Sequence, residues 1–157
     1  MYSYKLIADY FISLSNETQN LITNLKLQKL LYYAQVWSLA INKKRLFEGD
    51  FEAWVHGPVL VALYNDYKDN RANPIRRDDL GEGKFSEILL SFDSTTQALL
   101  KDVTDNYFGL TAYELERRTH QEEPWRKARK GLEPDEPSSE KIDDVSIIEF
   151  YSQLVIE

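Results

Sequence analysis

The sequence predicts a mainly α fold: a compact multi-helix domain around a central buried helix, with at most a short β-hairpin near residues 45–56. Three observations carry this. Residues 24–41, NLKLQKLLYYAQVWSLAI, contain no Pro or Gly and are apolar around most of the helical circumference, as in a helix enclosed by others. Apolar positions recur near the helical period in residues 4–14, 59–67, 99–107 and 145–154. Only 51–56 alternates in the two-residue period of a strand. At 157 residues and 43% hydrophobic, with three Trp, ten Tyr and seven Phe, the chain supplies one domain with a sizeable core.

Taken in order, residues 3–14 form a first helix with Tyr4, Ile7, Phe11 and Leu14 on its apolar face. The linker SNETQNLIT leads to the central helix, capped by Asn24 or Thr23, whose side-chain oxygens can accept from the free N–H groups of the first turn. Lys26, Lys29 and Tyr33 fall together on one narrow edge of it, while Gln28, Tyr32 and Gln35 form a polar stripe inside the apolar arc. Buried amides need partners, so the stripe ties down a neighbouring segment or faces an interface. Asn42-Lys43-Lys44 ends the helix with positive charge, favourable against its dipole.

Glu48-Gly49-Asp50 marks a turn between short apolar runs, and Gly57-Pro58 closes the extended region. Pro58 suits the first position of the next helix, where its missing N–H costs nothing. Residues 68–84, KDNRANPIRRDDLGEGK, read as an exposed connection, and 85–92 are too short to assign by period. Ser94, Thr95 or Thr96 caps the helix that follows. Thr111 and Glu114 have capping-box spacing at the head of AYELERRTH. A break at residues 121–123 precedes Pro124 and a short basic helix closed by Gly131. LEPDEPSSEK is a loop by composition. Asp143 or Asp144 caps a terminal helix offering Val145, Ile148, Phe150, Tyr151 and Leu154 for burial. One domain over 1–157 is expected, its acidic segment 131–157 ending in a docked helix.

The net charge of −7 is localised: residues 131–157 hold eight acids against Lys141, while the rest of the chain balances. Such a segment opposes non-specific binding to phosphate backbones. The absence of Cys excludes a disulfide framework and thiolate chemistry. Asp9 interrupts the N-terminal apolar run, which lacks a cleavage site, so no signal peptide is read. Charges within the central helix argue against a membrane span. A cytoplasmic location is expected.

Candidates for chemistry are few. His56 and His120 are the two histidines, with no HExxH and no helical metal pair, so no metal or other cofactor is expected. Either they hydrogen-bond loop backbone and organise turns, or they share a polar pocket that contacts a ligand or partner. No nucleophile elbow or phosphate-binding loop is present, and no catalytic residue is assigned. The basic cluster of Arg117, Arg118, Arg126, Lys127, Arg129 and Lys130 has three possible targets: the acidic C-terminal segment, a partner's acidic surface, or nucleic acid. Intramolecular compensation is the favoured reading, and nothing resembles a recognition helix with its turn.

Three segments, NLKLQKLLYYAQ (24–35), AWVHGPV (53–59) and LERRTHQEEPW (115–125), together resemble the SocA-like or Panacea domain family, also known as phage-associated or GepA-like proteins. The likeness covers roughly residues 4–130. Family-typical positions fall on Leu27, Gln28, Lys29, Tyr32, Tyr33 and Gln35, then Trp54, His56, Gly57 and Pro58, then Thr119, His120, Pro124 and Trp125. The resemblance implies a mostly helical protein with an antitoxin role: direct neutralisation of a cognate protein toxin encoded beside it, and in one branch delivery of that toxin to the ClpXP protease. Gln28, Tyr32, Gln35, Trp54, His56, Gly57, Pro58, Thr119, His120, Pro124 and Trp125 are candidates for partner binding or for scaffold. The favoured reading is scaffold first, with the partner surface elsewhere. A hydrolase or transferase with His56 and His120 in one pocket is the alternative, and a nucleic-acid-binding accessory protein a further one.

Overall fold

The structure is a computed structural model in which residues 1–155 are described. Among them, eight α-helices and one two-stranded antiparallel sheet follow in this order: α1 (Tyr4–Thr18), α2 (Asn24–Trp37), β1 (Phe51–Trp54), β2 (Gly57–Leu60), α3 (Val61–Tyr67), α4 (Lys84–Ser91), α5 (Ser94–Val103), α6 (Ala112–Gln121), α7 (Glu123–Ala128) and α8 (Asp144–Ser152). π-helical turns extend α2 through Ser38–Asn42 and α5 through Thr104–Phe108. The mainly α architecture with one short hairpin is the predicted one.

Helix α2 is the centre. It packs against α1, α3, α5, α6, α8 and β2, and every residue from 26 to 36 is buried. That includes the narrow edge of Lys26, Lys29 and Tyr33. Thr23 is its cap, accepting from the Lys26 N–H, and Asn24 is the first helical residue. Helix α1 runs four residues beyond its expected end. Thr18 satisfies itself by donating to the Leu14 carbonyl, and Asn16 donates to the carbonyls of Arg77 and Leu80, so the polar residues stay helical. Gln19, at φ 57°, then stops it.

Two expectations near the hairpin are corrected. The strands lie at 51–60, so Glu48-Gly49-Asp50 precedes the hairpin, and the two-residue turn is Val55-His56 between the paired Trp54 and Gly57. Pro58 sits inside β2 opposite Ala53. It is not the first residue of a helix, because α3 begins at Val61. The placement is physically sound: β2 is an edge strand, and an edge tolerates a residue with no N–H to give. Beyond β1, Ala53 N–H donates to the Glu140 carbonyl and Ile142 N–H to the Phe51 carbonyl. The acidic segment therefore closes the free edge of the hairpin.

The connection at 68–84 is only partly exposed. Ile75 and Leu80 are buried, Ile75 N–H donates to the Ile22 carbonyl, and Arg77 clamps Asp9, Asp79 and the Tyr67 hydroxyl. Residues 85–91 are helical as part of α4. Asp93, one residue before the three expected candidates, caps α5 by accepting from Thr96 N–H. The capping box of Thr111 and Glu114 forms as its spacing predicts. Asp143 caps α8, which buries Ser146, Ile147 and Tyr151 while Val145 and Leu154 stay exposed. Of the five apolar residues expected to be buried, Tyr151 is fully buried and Ile148 and Phe150 pack partly buried against the core, while Ile147 joins them from outside that set.

Leu30 and Leu31 are both fully buried, so Leu30→Ala or Leu31→Ala is expected to lower unfolding free energy by about 2–5 kcal/mol. Urea denaturation of the two variants checks it; unchanged midpoints would mean that α2 is not the core element.

Candidate functional site

The polar groups of α2 reach the hairpin and its approach. Gln28 accepts the Leu60 N–H on the outer edge of β2 at 2.9 Å and donates to Asn24 Oδ1. Lys29 Nζ donates to the Pro58 carbonyl at 3.0 Å on that same edge. Gln35 accepts the N–H groups of Leu46 and Phe47 and donates to the Phe47 carbonyl at 2.7 Å. The stripe is therefore an internal tie. Its amides hold residues 46, 47 and 60, and the third motif is reached through other side chains.

Lys29 is the junction. It is fully buried, and burial pushes its ammonium down to about 7, opposed by the negative charge of Glu116. Gly57 lies over it at φ 106°, and a Cβ there would stand 2.7 Å from Lys29 Cε and 3.0 Å from Thr119 Oγ1. Only glycine satisfies both the backbone and the approach. Thr119, fully buried on α6, donates to the Glu116 carbonyl. The carboxylate of Glu116 meets His56 Nδ1 at 2.6 Å at the surface. His120 stacks on Trp125 at 3.9 Å and 9°; burial lowers its pKa, and its Nε2 meets no hydrogen-bond partner among the described residues. Trp125 donates from Nε1 to the Trp54 carbonyl, while Pro124 opens α7. The motifs at 53–59 and 115–125 are thereby joined across the hairpin.

Sequence reasoning missed a second buried cluster. Glu122, in the expected break between α6 and α7, accepts from the hydroxyls of Tyr33 and Tyr151, each at 2.7 Å. Burial raises its pKa against the opposing pull of these bonds and of Arg118. Tyr32 lies beside them, 3.4 Å from the Tyr151 hydroxyl. Tyr33 stacks on Tyr107 at 4.0 Å, and Trp37 donates to the Tyr107 hydroxyl. The signal was present: a tyrosine on a buried face has a hydroxyl that must be satisfied.

The basic cluster is divided. Arg129 is buried and donates to the carbonyls of Ala53, Glu133 and Glu136, which fastens the start of the acidic segment. Arg118 and Arg117 lie over the rings of Tyr107 and Tyr113. The acidic segment finds its ion-pair partner elsewhere, where Arg45 holds Asp144 and Asp50.

Beside the seam lies a largely apolar groove of about 760 Å³. Leu25, Trp54, Val59 and Tyr64 line it, with Lys68 and Arg71 among its polar residues and residues 137–139 of the acidic segment along it. Arg71 has φ 53° and ψ −125° in a turn closed by Asn73 N–H to the Asn70 carbonyl at 2.9 Å. That is the glycine position of a type II′ turn, and holding another residue there costs about 1–3 kcal/mol. Among the described residues, no group of three or more His, Cys, Asp or Glu is placed to hold a metal ion, and no helix is long and apolar enough to cross a membrane.

The family model for the Antitoxin SocA-like, Panacea domain matches residues 27–126. The chain belongs to this family. All the motif residues, from Gln28 to Trp125, fall within the match. A stretch of 49 residues is 45% identical to "Antitoxin SocA" of Caulobacter vibrioides (strain NA1000 / CB15N). The match spans 31% of this chain and about a quarter, 26%, of that relative. No solved structure matches the chain. In this Panacea domain, Gln28, Tyr32, Gln35, Gly57, Pro58, Thr119, Pro124 and Trp125 are buried, while Trp54 and His56 reach solvent.

Two outcomes follow for the seam. Between pH 7 and the ordinary lysine value near 10.5, the unfolded chain holds a proton that the folded chain has released. Stability therefore rises with pH across this window, at up to about 1.4 kcal/mol per unit. In Lys29→Met that component disappears, so urea unfolding at several pH values should show the difference between parent and variant growing in the parent's favour; a flat difference would assign the titration elsewhere. Gln35→Leu leaves the Leu46 and Phe47 backbone groups unpaired, and calorimetry should register a loss of about 1–3 kcal/mol for each group so stranded.

Proposed function

We propose that this chain is an antitoxin-like protein-binding domain that neutralises a cognate protein toxin by direct contact. Membership of the SocA-like family over residues 27–126 carries the reading, and the similarity to an antitoxin by name supports it. The physical character of the motif residues agrees with it. Most of their polar ends are spent inside the molecule, those of Gln28, Gln35, Thr119 and Trp125 largely on backbone, which suits a rigid scaffold presenting a surface. Neutralisation is then steric, by covering the toxin's working surface. Delivery of the bound toxin to the ClpXP protease is the finer form, in which the same complex is handed to an unfolding machine. A location in the cytoplasm goes with both forms.

A hydrolase or transferase built on His56 and His120 has less support. His56 is engaged by Glu116 and His120 is stacked on Trp125, and the neighbouring hydroxyl, Thr119, is buried and committed to a carbonyl. Nucleic acid is disfavoured as a partner because the most buried cation of the basic cluster, Arg129, is consumed internally.

Co-expression with the product of the adjacent gene tests the proposal. Growth should stop when that product is induced alone and recover when this chain is present. A harmless product, or toxicity unchanged by this chain, overturns the antitoxin reading. Steady-state toxin levels with and without the protease separate steric neutralisation, where toxin persists, from delivery, where it disappears only when ClpXP is active.

A further inference from the structure

We infer that the groove between α2, the hairpin and α3 captures a short peptide segment of the partner protein, one that pairs a large apolar side chain with a carboxylate. The inference rests on the proposed antitoxin reading only in taking the occupant to be part of a protein.

The lining decides the chemistry. At about 760 Å³ the groove has the size of ligand sites, and its wall is mostly apolar, with Trp54 and Tyr64 edge-on to one another at 5.1 Å. Aromatic side chains at the centre of a desolvated patch are the usual anchors of protein contacts. A small-molecule site also needs polar groups held deep inside to orient the ligand, and here they are already spent. Gln28 accepts from the Leu60 N–H and donates its amide N–H to Asn24 Oδ1, and Glu52 accepts from the indole N–H of Trp54.

The lining charges are the carboxylate of Glu52, turned to the Trp54 indole N–H, and the two cations Lys68 and Arg71, a net excess of positive charge. Both cations are exposed, and neither forms an ion pair with a described residue. His56 also lines the groove but is bound to Glu116, and Asp69, between the two cations in sequence, is not a lining residue. In a chain of net charge −7, two unpaired cations beside an apolar wall select for a carboxylate. An apolar centre with cations beside it is the anatomy of a protein contact. The strained turn that presents Arg71 gives a second reason: a glycine would relieve it, and the arginine is held there nonetheless.

A display library of random twelve-residue peptides, selected against the full chain, tests this without knowledge of the toxin. The expected result is enrichment of peptides with Trp, Phe or Leu within about four positions of Asp, Glu or the free C-terminus. The Lys68→Glu/Arg71→Glu double variant should bind the selected peptides at least tenfold more weakly. Arg71→Gly guards against a folding artefact, since it should keep or raise Tm and still weaken binding. Lys5→Glu, an exposed charge reversal on α1 outside the groove, should change nothing. No enrichment, peptides without an acid, affinity indifferent to Lys68 and Arg71, or capture of decanoate in preference to any peptide would each overturn the inference. The two proposals also fail separately. Full toxin neutralisation by the double variant overturns the groove as the partner's site and leaves the antitoxin reading intact. Peptide capture by a chain that neutralises nothing does the reverse.

Discussion

Helix α2 carries Lys26, Gln28, Lys29 and Gln35 into the interior, and a polar group left unpaired there costs about 1–3 kcal/mol, more when it is charged. The surrounding chain is arranged to answer that demand. Lys26 donates to the Phe108 carbonyl at the π-helical end of α5, Gln28 and Lys29 take the outer edge of β2, and Gln35 takes the strand-like approach to β1. These are long-range ties between backbone groups that regular secondary structure leaves open. An edge strand and a π-turn, both poor at satisfying themselves, become stable parts of the interior because a helix supplies the missing donors and acceptors.

This arrangement explains the spacing of the motif residues. Gln28 and Lys29 are adjacent in sequence and grip neighbouring points on one strand edge, which tolerates Pro58 and requires a residue without a Cβ at Gly57. Thr119 closes the same space from α6. The partly buried carboxylate of Glu122, held by Tyr33 and Tyr151, joins the α6–α7 junction to α8 in a comparable way. The domain is thus pinned at two buried polar points on one helix, with aromatic packing between them.

Much of the fold was legible from local pattern. The central helix, the capping box at Thr111 and the terminal helix follow from periodicity and cap chemistry that depend on near neighbours only. The errors have a common cause in tertiary structure. Pro58 fits a helix start and an edge strand equally well, and only the pairing with Ala53 decides. The partners of Lys26 and Lys29 were not readable because their acceptors lie 82 and 29 residues further along the chain. The amide stripe was recognisable as needing partners, but not which ones. The groove was not legible at all, since its walls come from four separated segments that only the tertiary fold brings together.

Arg129, by gripping the carbonyls of Glu133 and Glu136, lays the start of the acidic segment against the molecule and brings residues 137–139 to the groove. Those residues lie outside the stretch 27–126 that defines the family, whereas Trp54 and Val59 lie inside it. One recess is therefore built from two kinds of material: a floor shared with the framework and a wall contributed by an appended strip. Substitutions in the strip can reshape the recess without disturbing the interior, which separates the problem of staying folded from the problem of choosing what to hold.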